Sequence, residues 1–335
     1  MDLSFILLIL AGLACYIYAF VSGFTDAGQA IASAIGSRSL SPFVAVLMAG
    51  ILEVVGALAG TAVALTIGKD IVLLEMVSLI TVPAAVFGAL SWSLFTYYFG
   101  IPVSETHGLI GGIVGAAIAV AGTIDVVQWA ALSKILVAII ISPLLGFSSG
   151  LVLMQIVYRC FHSAHARRMS MIFRNLQRLS AAYLSFSHGL NDAQKPMGIL
   201  VMTLALYYGW KEPTVPLWVI LSVGVVAGLG MFYGGWRIIR TLGMRITTLS
   251  PEQGFVSNFS AATVLQLLSF FGIPVSTTHV AASAIVGVGA ARRFSSIRLE
   301  IVLEILISWI LTLPATIVFG WGFAKLLCVV FPLQL

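Results

Sequence analysis

The stretch Tyr98-Phe99-Gly100-Ile101-Pro102-Val103-Ser104-Glu105-Thr106-His107 returns as Phe270-Phe271-Gly272-Ile273-Pro274-Val275-Ser276-Thr277-Thr278-His279, identical at eight of ten positions. In each copy Gly and Pro break a long apolar run, and Ser, a strong N-cap residue, restarts it. A second pair, Gly23-Phe24-Thr25-Asp26-Ala27 and Gly189-Leu190-Asn191-Asp192-Ala193, precedes the first at a similar distance. The offsets are 166 residues (189 minus 23) and 172 (272 minus 100). The chain therefore reads as two related halves.

Both halves belong in a membrane. Of 335 residues, 60% are hydrophobic and 9% charged, against about 45–50% and about 25% in an average soluble domain. Apolar runs near the roughly 20 residues that span a bilayer recur along the chain, and they are continuous rather than alternating, which selects helices over a barrel. The first run, residues 3–21, is flanked by Asp2 and lacks a small-residue cleavage site, so it reads as a retained helix. Cys15, Cys160 and Cys328 show no metal spacing.

The net charge of +5 is explained by position rather than by a nucleic-acid partner. Twelve of the seventeen basic residues form four clusters: Arg38; Arg159, Arg167, Arg168, Arg174 and Arg178; Arg237, Arg240 and Arg245; Arg292, Arg293 and Arg298. Short basic loops mark the cytoplasmic side. With those clusters inside, six full spans are expected, at residues 3–21, 42–67, 129–157, 179–208, 215–236 and 299–331. Residues 159–178 form a basic cytoplasmic loop, and both termini are extracytoplasmic.

Two stretches, 74–121 and 255–291, do not fit as ordinary passes. Each is a pair of apolar arms broken at GIP, and the second pair reaches only about 24–26 Å per arm at 1.5 Å per residue. They read as re-entrant hairpins. Three spans separate the copies, an odd number, so residues 179–335 run opposite to residues 1–158. The expected fold is an all-α polytopic membrane protein with two inverted-topology repeats, each of three spans and one hairpin, in the cell membrane. Broken helices at matching positions of inverted halves point to a transporter's midplane site.

Ser104 and Ser276 each open a helix at membrane depth, where free N–H groups and the positive end of the dipole favour an anion. Thr106, Thr277 and Thr278 add hydroxyls, so two facing N-termini suit a tetrahedral oxyanion. Asp26 and Asp192 are ionisable residues inside the membrane, which marks a functional site by default. Two carboxylates beside an anion require cations between them, so coupled sodium or protons are expected. Thr25, Gln29, Asn191 and Gln194 are neighbouring oxygen ligands for sodium, and Glu105 is a further candidate. Asn191 suits either ligand. Glu53 needs a partner or a proton, and Lys195 sits three residues from Asp192 on one helix face. No cofactor or ATP-binding motif appears. The GxxxG pairs Gly56/Gly60, Gly224/Gly228 and Gly230/Gly234 mark helix packing and are candidates for homodimer contacts.

The residues resemble a family, the inorganic phosphate transporters of the PiT type, whose members carry a duplicated GANDxxN-like and a duplicated PVSxTH-like segment. Here Gly189 to Lys195, preceded by Ser187 and His188, and both PVS(E/T)TH copies match. Thr25 and Gln29 depart from the first motif, where Asn is usual, and Glu105 stands where the second copy has Thr277. The resemblance implies symport of phosphate with sodium or protons, with sulfate open as a substrate. An anion channel is a rival reading but has no use for paired acids. A Ser–His hydrolase, suggested by His107 and His279 three residues after each Ser, lacks a third residue to orient the imidazole.

Overall fold

The structure, a computed structural model, describes residues 2–163, 165–273 and 275–331, without the side chains of residues 166–168 and 296. Pro274, the second of the two helix-breaking prolines, lies outside the described residues. The first half forms α1 (Leu3–Gly36), α2 (Pro42–Ala57), α3 (Ala62–Lys69), α4 (Thr81–Phe99), α5 (Glu105–Ala121) and α6 (Trp129–Cys160). The second forms α7 (Ala166–Asp192), α8 (Gln194–Tyr208), α9 (Leu217–Tyr233), α10 (Trp236–Arg240), α11 (Pro251–Phe270), α12 (Thr277–Arg292) and α13 (Leu299–Val330). Among the described residues extended pairing is limited to one antiparallel bridge, Val72 with Val127. The protein is an all-α, multi-pass membrane protein.

Among the described residues four helices, α1, α4, α6 and α13, are long and apolar enough to cross a bilayer. The bent pairs α2/α3 and α9/α10, kinked by 72° and 57°, raise the number to six if each counts as one span. Several expected boundaries move. The run 42–67 is broken between Ala57 and Ala62, and 215–236 ends in a bend followed by a π turn, Thr241–Arg245. Helix α1 continues to Gly36, which puts Asp26 inside a continuous helix.

Residues 159–178 are not a loop. Helix α6 runs to Cys160 and α7 starts at Ala166, because Arg, Gln, Met and Leu are good helix formers and charge alone does not break a helix. The expected span 179–208 is interrupted at Ala193, between α7 and α8. Helix α4 has 19 residues, about 28 Å at 1.5 Å per residue, so the first arm of the first broken segment is itself of spanning length.

The two halves interlock. Helix α5 packs on α13, and α12 on α6, so each second arm docks on the last helix of the other half. Both receiving helices carry an internal proline, Pro143 and Pro314. The loops between the arms are tied in the same reciprocal way: Thr241 donates to Gly100 O at 2.7 Å, and Thr66 to Gly272 O at 3.1 Å. Gly100 and Gly272 both adopt φ near +70°, the left-handed conformation that favours glycine at a helix end.

The glycines of the GxxxG pairs are spent within the chain. A Cβ on Gly56 would lie 2.2 Å from Phe186 O, one on Gly228 2.7 Å from Gly50 O, and one on Gly230 2.1 Å from Phe20 O. Gly56 brings α2 against α7, Gly228 brings α9 against α2, and at Gly230 helices α9 and α1 touch backbone to backbone. Gly230→Ala is expected to push the two helices apart at a cost of about 1–3 kcal/mol, the usual penalty of overpacking. Its readout is a lower melting temperature of the purified protein in detergent, and an unchanged melt would refute the close contact.

Contacts also gather the arginine-bearing segments at one end of the bundle. Arg178 Nε donates to Ser39 O at 2.8 Å, Arg298 N to Ile246 O at 3.1 Å and Gln253 Nε2 to Tyr158 OH at 3.3 Å, while Gly36 lies against Gly243. The opposite end carries Lys69 and Gln128, joined by a 3.0 Å hydrogen bond.

Candidate functional site

Both serines after the broken segments cap their helices. Ser104 Oγ accepts from His107 N at 3.2 Å and Ser276 Oγ from His279 N at 3.1 Å. The fourth amides, Gly108 N and Val280 N, return to the Ser104 and Ser276 carbonyls. This leaves the Glu105, Thr106, Thr277 and Thr278 amides without intrahelical acceptors, as the first turn of any helix requires. The two N-termini face one another. Thr106 Oγ1 donates to Val275 O at 3.0 Å, and Thr278 Oγ1 donates to Val103 O at 2.7 Å. The His107 and His279 rings meet edge to face, 4.7 Å between centroids.

The repeated Ser–His spacing is therefore explained by capping: each serine oxygen is bound by the backbone N–H of the histidine rather than by its imidazole. Trp309 on α13 holds both loops, donating Nε1 to Pro102 O at 3.2 Å and stacking on His279 at 3.8 Å. Ser104 and Ser276 each serve as acceptors in these bonds and retain a hydroxyl proton. The hydroxyls of Thr106, Thr277 and Thr278 are already engaged with protein oxygens.

Around these N-termini the chain packs a buried ionic cluster. Lys195 Nζ lies 2.8 Å from Asp192 Oδ1, and His188 Nε2 lies 3.1 Å from Asp192 Oδ2. Thr277 donates to Asp192 Oδ2 at 2.7 Å, and Asn191 Nδ2 to Asp192 Oδ1 at 2.6 Å. Asn191 also donates to Val275 O at 3.1 Å and accepts from Ser269 at 3.1 Å. His188 Nδ1 reaches Glu53 Oε2 at 2.8 Å, which gives the mid-span glutamate its partner. Glu105 Oε1 lies 2.9 Å from Thr25 Oγ1 and is also bonded by Ser93.

Asp26 is different. Gln29 Nε2 donates to Asp26 Oδ1 at 2.5 Å and lies 2.6 Å from Thr278 Oγ1. Asp26 Oδ2 and Gln29 Oε1 are buried with no hydrogen-bond partner, and among the described residues the nearest basic group to Asp26 is His188 Nε2 at 3.9 Å. Asp26 and Asp192 thus occupy matching motif positions but not matching environments: Asp192 is paired, and Asp26 has an oxygen to spare.

Every site residue expected from the sequence enters this cluster except Gln194. Its Oε1 accepts from Ala64 N at 3.1 Å and its Nε2 bonds Leu190 O, so it ties α8 to α3 and lines a cavity beside Ser269 and Phe270 at the end of α11. Sequence reasoning missed Ser93, Ser269 and Trp309, which carry no motif, and it left His188 without a role.

The chain is 38% identical to a protein of Bacillus subtilis (strain 168) named "Probable low-affinity inorganic phosphate transporter", over 96% of this chain and 97% of that one. It is 41% identical to a protein of Rhizobium meliloti (strain 1021) with the same name, over 88% and 89%. Its fold matches a solved structure described as "The sodium-dependent phosphate transporter", with a TM-score of 0.89, 28% identity, and coverage of 96% of this chain and 99% of that one. The model of the phosphate transporter family matches residues 22–320, so with the paired helix N-termini and the buried acids at its centre, this chain belongs to the phosphate transporter family, a family of carriers and not of enzymes.

Proposed function

We propose that this protein imports inorganic phosphate by symport with sodium, through alternating access around the two facing helix N-termini. The observation that carries the reading is the charge balance of the site. Asp26, Glu53, Glu105 and Asp192 are all at most 3% exposed, and among the described residues only Lys195 and His188 stand within the cluster as basic partners for four carboxyl groups. An oxyanion enters such a site only with additional cations. Phosphate takes the Ser104 and Ser276 hydroxyls and the free amides of Glu105, Thr106, Thr277 and Thr278. Asn191, Thr106, Thr277 and Thr278 side chains hold the loops in place.

Sodium takes the unpaired oxygens of Asp26 and Gln29, with Thr25 and Glu105 adjacent. Oxygen ligands beside broken helices are the usual arrangement for coupling ions in such carriers. The reciprocal ties between halves support two inverted repeats, and the arginine-bearing end is the cytoplasmic one by the positive-inside rule.

The test is uptake of labelled phosphate and labelled sulfate into proteoliposomes with a sodium gradient, a proton gradient or neither. Phosphate is expected to accumulate above equilibrium under the sodium gradient. Accumulation under a proton gradient alone would reassign the coupling ion, preference for sulfate would reassign the substrate, and no accumulation of either anion would refute symport.

A further inference from the structure

Helix α1 carries a buried polar stripe that passes through the central site at Asp26 and Gln29 and continues below it, beyond the residues the site uses. Ser22, Asp26, Gln29, Ser33 and Ser37 follow at helical spacings of three or four residues, and all are buried. From Asp26 to Ser37 is 11 residues, about 16 Å along the helix, roughly half the hydrocarbon thickness. The stripe therefore runs from the central site to the arginine-bearing end.

Its lower part meets α7 and α11. Ser33 Oγ donates to Asn258 Oδ1 at 2.5 Å, and Ser37 and Ser39 donate to Gln177 Oε1 at 2.6 and 2.5 Å. Gln177 and Asn258 are 0% and 2% exposed, yet Gln177 Nε2 and Asn258 Nδ2 have no acceptor. Two buried amide groups thus hold unused N–H donors in one seam. No carboxylate takes part in these bonds. Arg178, exposed, sits at the mouth on Ser39 O, with Arg38 exposed beside it.

The other half provides an internal comparison. At the repeat offset of 166, Ser33 corresponds to Ile199 (33 plus 166), Ser37 to Thr203 (37 plus 166) and Gln177 to Ala11 (177 minus 166). At the offset of 172, Asn258 corresponds to Val86 (258 minus 172). Ile199, Ala11 and Val86 are fully buried in one apolar cluster. At three of these four positions the duplicated architecture is thus built without a polar group; the exception is Thr203, whose hydroxyl bonds its own backbone at Ile199 O. The seam is a property of one side alone.

We propose that Ser33, Ser37, Ser39, Gln177 and Asn258 form a second oxyanion-binding station, through which phosphate leaves the central site toward the arginine-bearing end. In the structure the seam is shut by its own hydrogen bonds. When α1 separates from α7 and α11, the serine hydroxyls and both amide groups become available together, and an anion supplies the acceptor the amides lack. Without those donors, an anion crossing the same distance would shed its hydration against apolar walls. The proposal rests on phosphate binding at the hairpin N-termini, and the test separates the two.

Full-length Asn258→Leu and Gln177→Met are compared with wild type in two assays: equilibrium binding of labelled phosphate to detergent-solubilised protein in sodium, and initial uptake rate in proteoliposomes. Binding is expected within twofold of wild type, with uptake reduced at least tenfold. Ser33→Ala and Ser37→Ala, which remove only a hydroxyl, give the same pattern at about threefold and serve if the larger changes impair folding. Thr203→Val, at the matching position of the other half, leaves both within twofold. Uptake within twofold of wild type in all four variants overturns the station, as does loss of binding in step with uptake. Wild-type protein that binds no phosphate refutes the central-site reading first and the station with it.

Discussion

Asp192→Asn is expected to lower both the stability of the protein and its phosphate uptake, the latter by about 100-fold or more. Asp192 is the shared partner of Lys195 at 2.8 Å, His188 at 3.1 Å and Thr277 at 2.7 Å, all of them buried. An amide in its place leaves the Lys195 ammonium uncompensated, and breaking a buried pair in this way costs about 3–5 kcal/mol. The same change frees Thr277, the first residue of α12, whose amide faces the proposed anion site. Stability and function are separable because only one of them depends on Lys195. In Asp192→Asn/Lys195→Met the stranded charge is gone, so the melting temperature in detergent should recover most of its loss while uptake stays low. A single variant that melts with wild type would refute the pairing, and a double variant with wild-type uptake would remove the pair from transport.

The Asp192–Lys195 pair was legible in the sequence because a spacing of three on a helix dictates proximity, and the serine caps were legible because capping is local. The repeat itself announced the broken segments. The bend after Ala57 was not visible, since apolar composition continues through it, and the start of α7 was hidden because an arginine-rich amphipathic helix has the composition of a loop. The contact between Glu53 and His188 joins residues 135 positions apart, and no local pattern encodes it. The polar stripe on α1 was present in the spacing of Ser22, Asp26, Gln29, Ser33 and Ser37. Single hydroxyls in membrane helices usually bond their own backbone, as Thr203 does to Ile199 O, so only the facing amides of Gln177 and Asn258 give those serines meaning.

Asp26→Asn is expected to act in the opposite way on stability and more selectively on function. Asp26 is 2% exposed, and its Oδ2 has no hydrogen-bond partner, so no ion pair at hydrogen-bond distance is broken when its charge is removed. A charged carboxylate buried there would carry a desolvation penalty that a neutral amide of the same shape avoids, so the variant should melt no lower than wild type in the absence of sodium. What it loses is a ligand. If Asp26 Oδ2 and Gln29 Oε1 hold the coupling ion, the sodium concentration for half-maximal uptake rises by about tenfold or more, equivalent to about 1.4 kcal/mol per tenfold, and accumulation against a gradient collapses. Gln29→Leu should raise the sodium requirement too, and in addition weaken phosphate binding, because the Gln29 amide lies 2.6 Å from Thr278 Oγ1 at the second N-terminus. A sodium titration of uptake, paired with melts at zero and saturating sodium, checks both arms. Sodium should raise the melting temperature of wild type and not of Asp26→Asn; equal sodium stabilisation of the two would place the ion elsewhere.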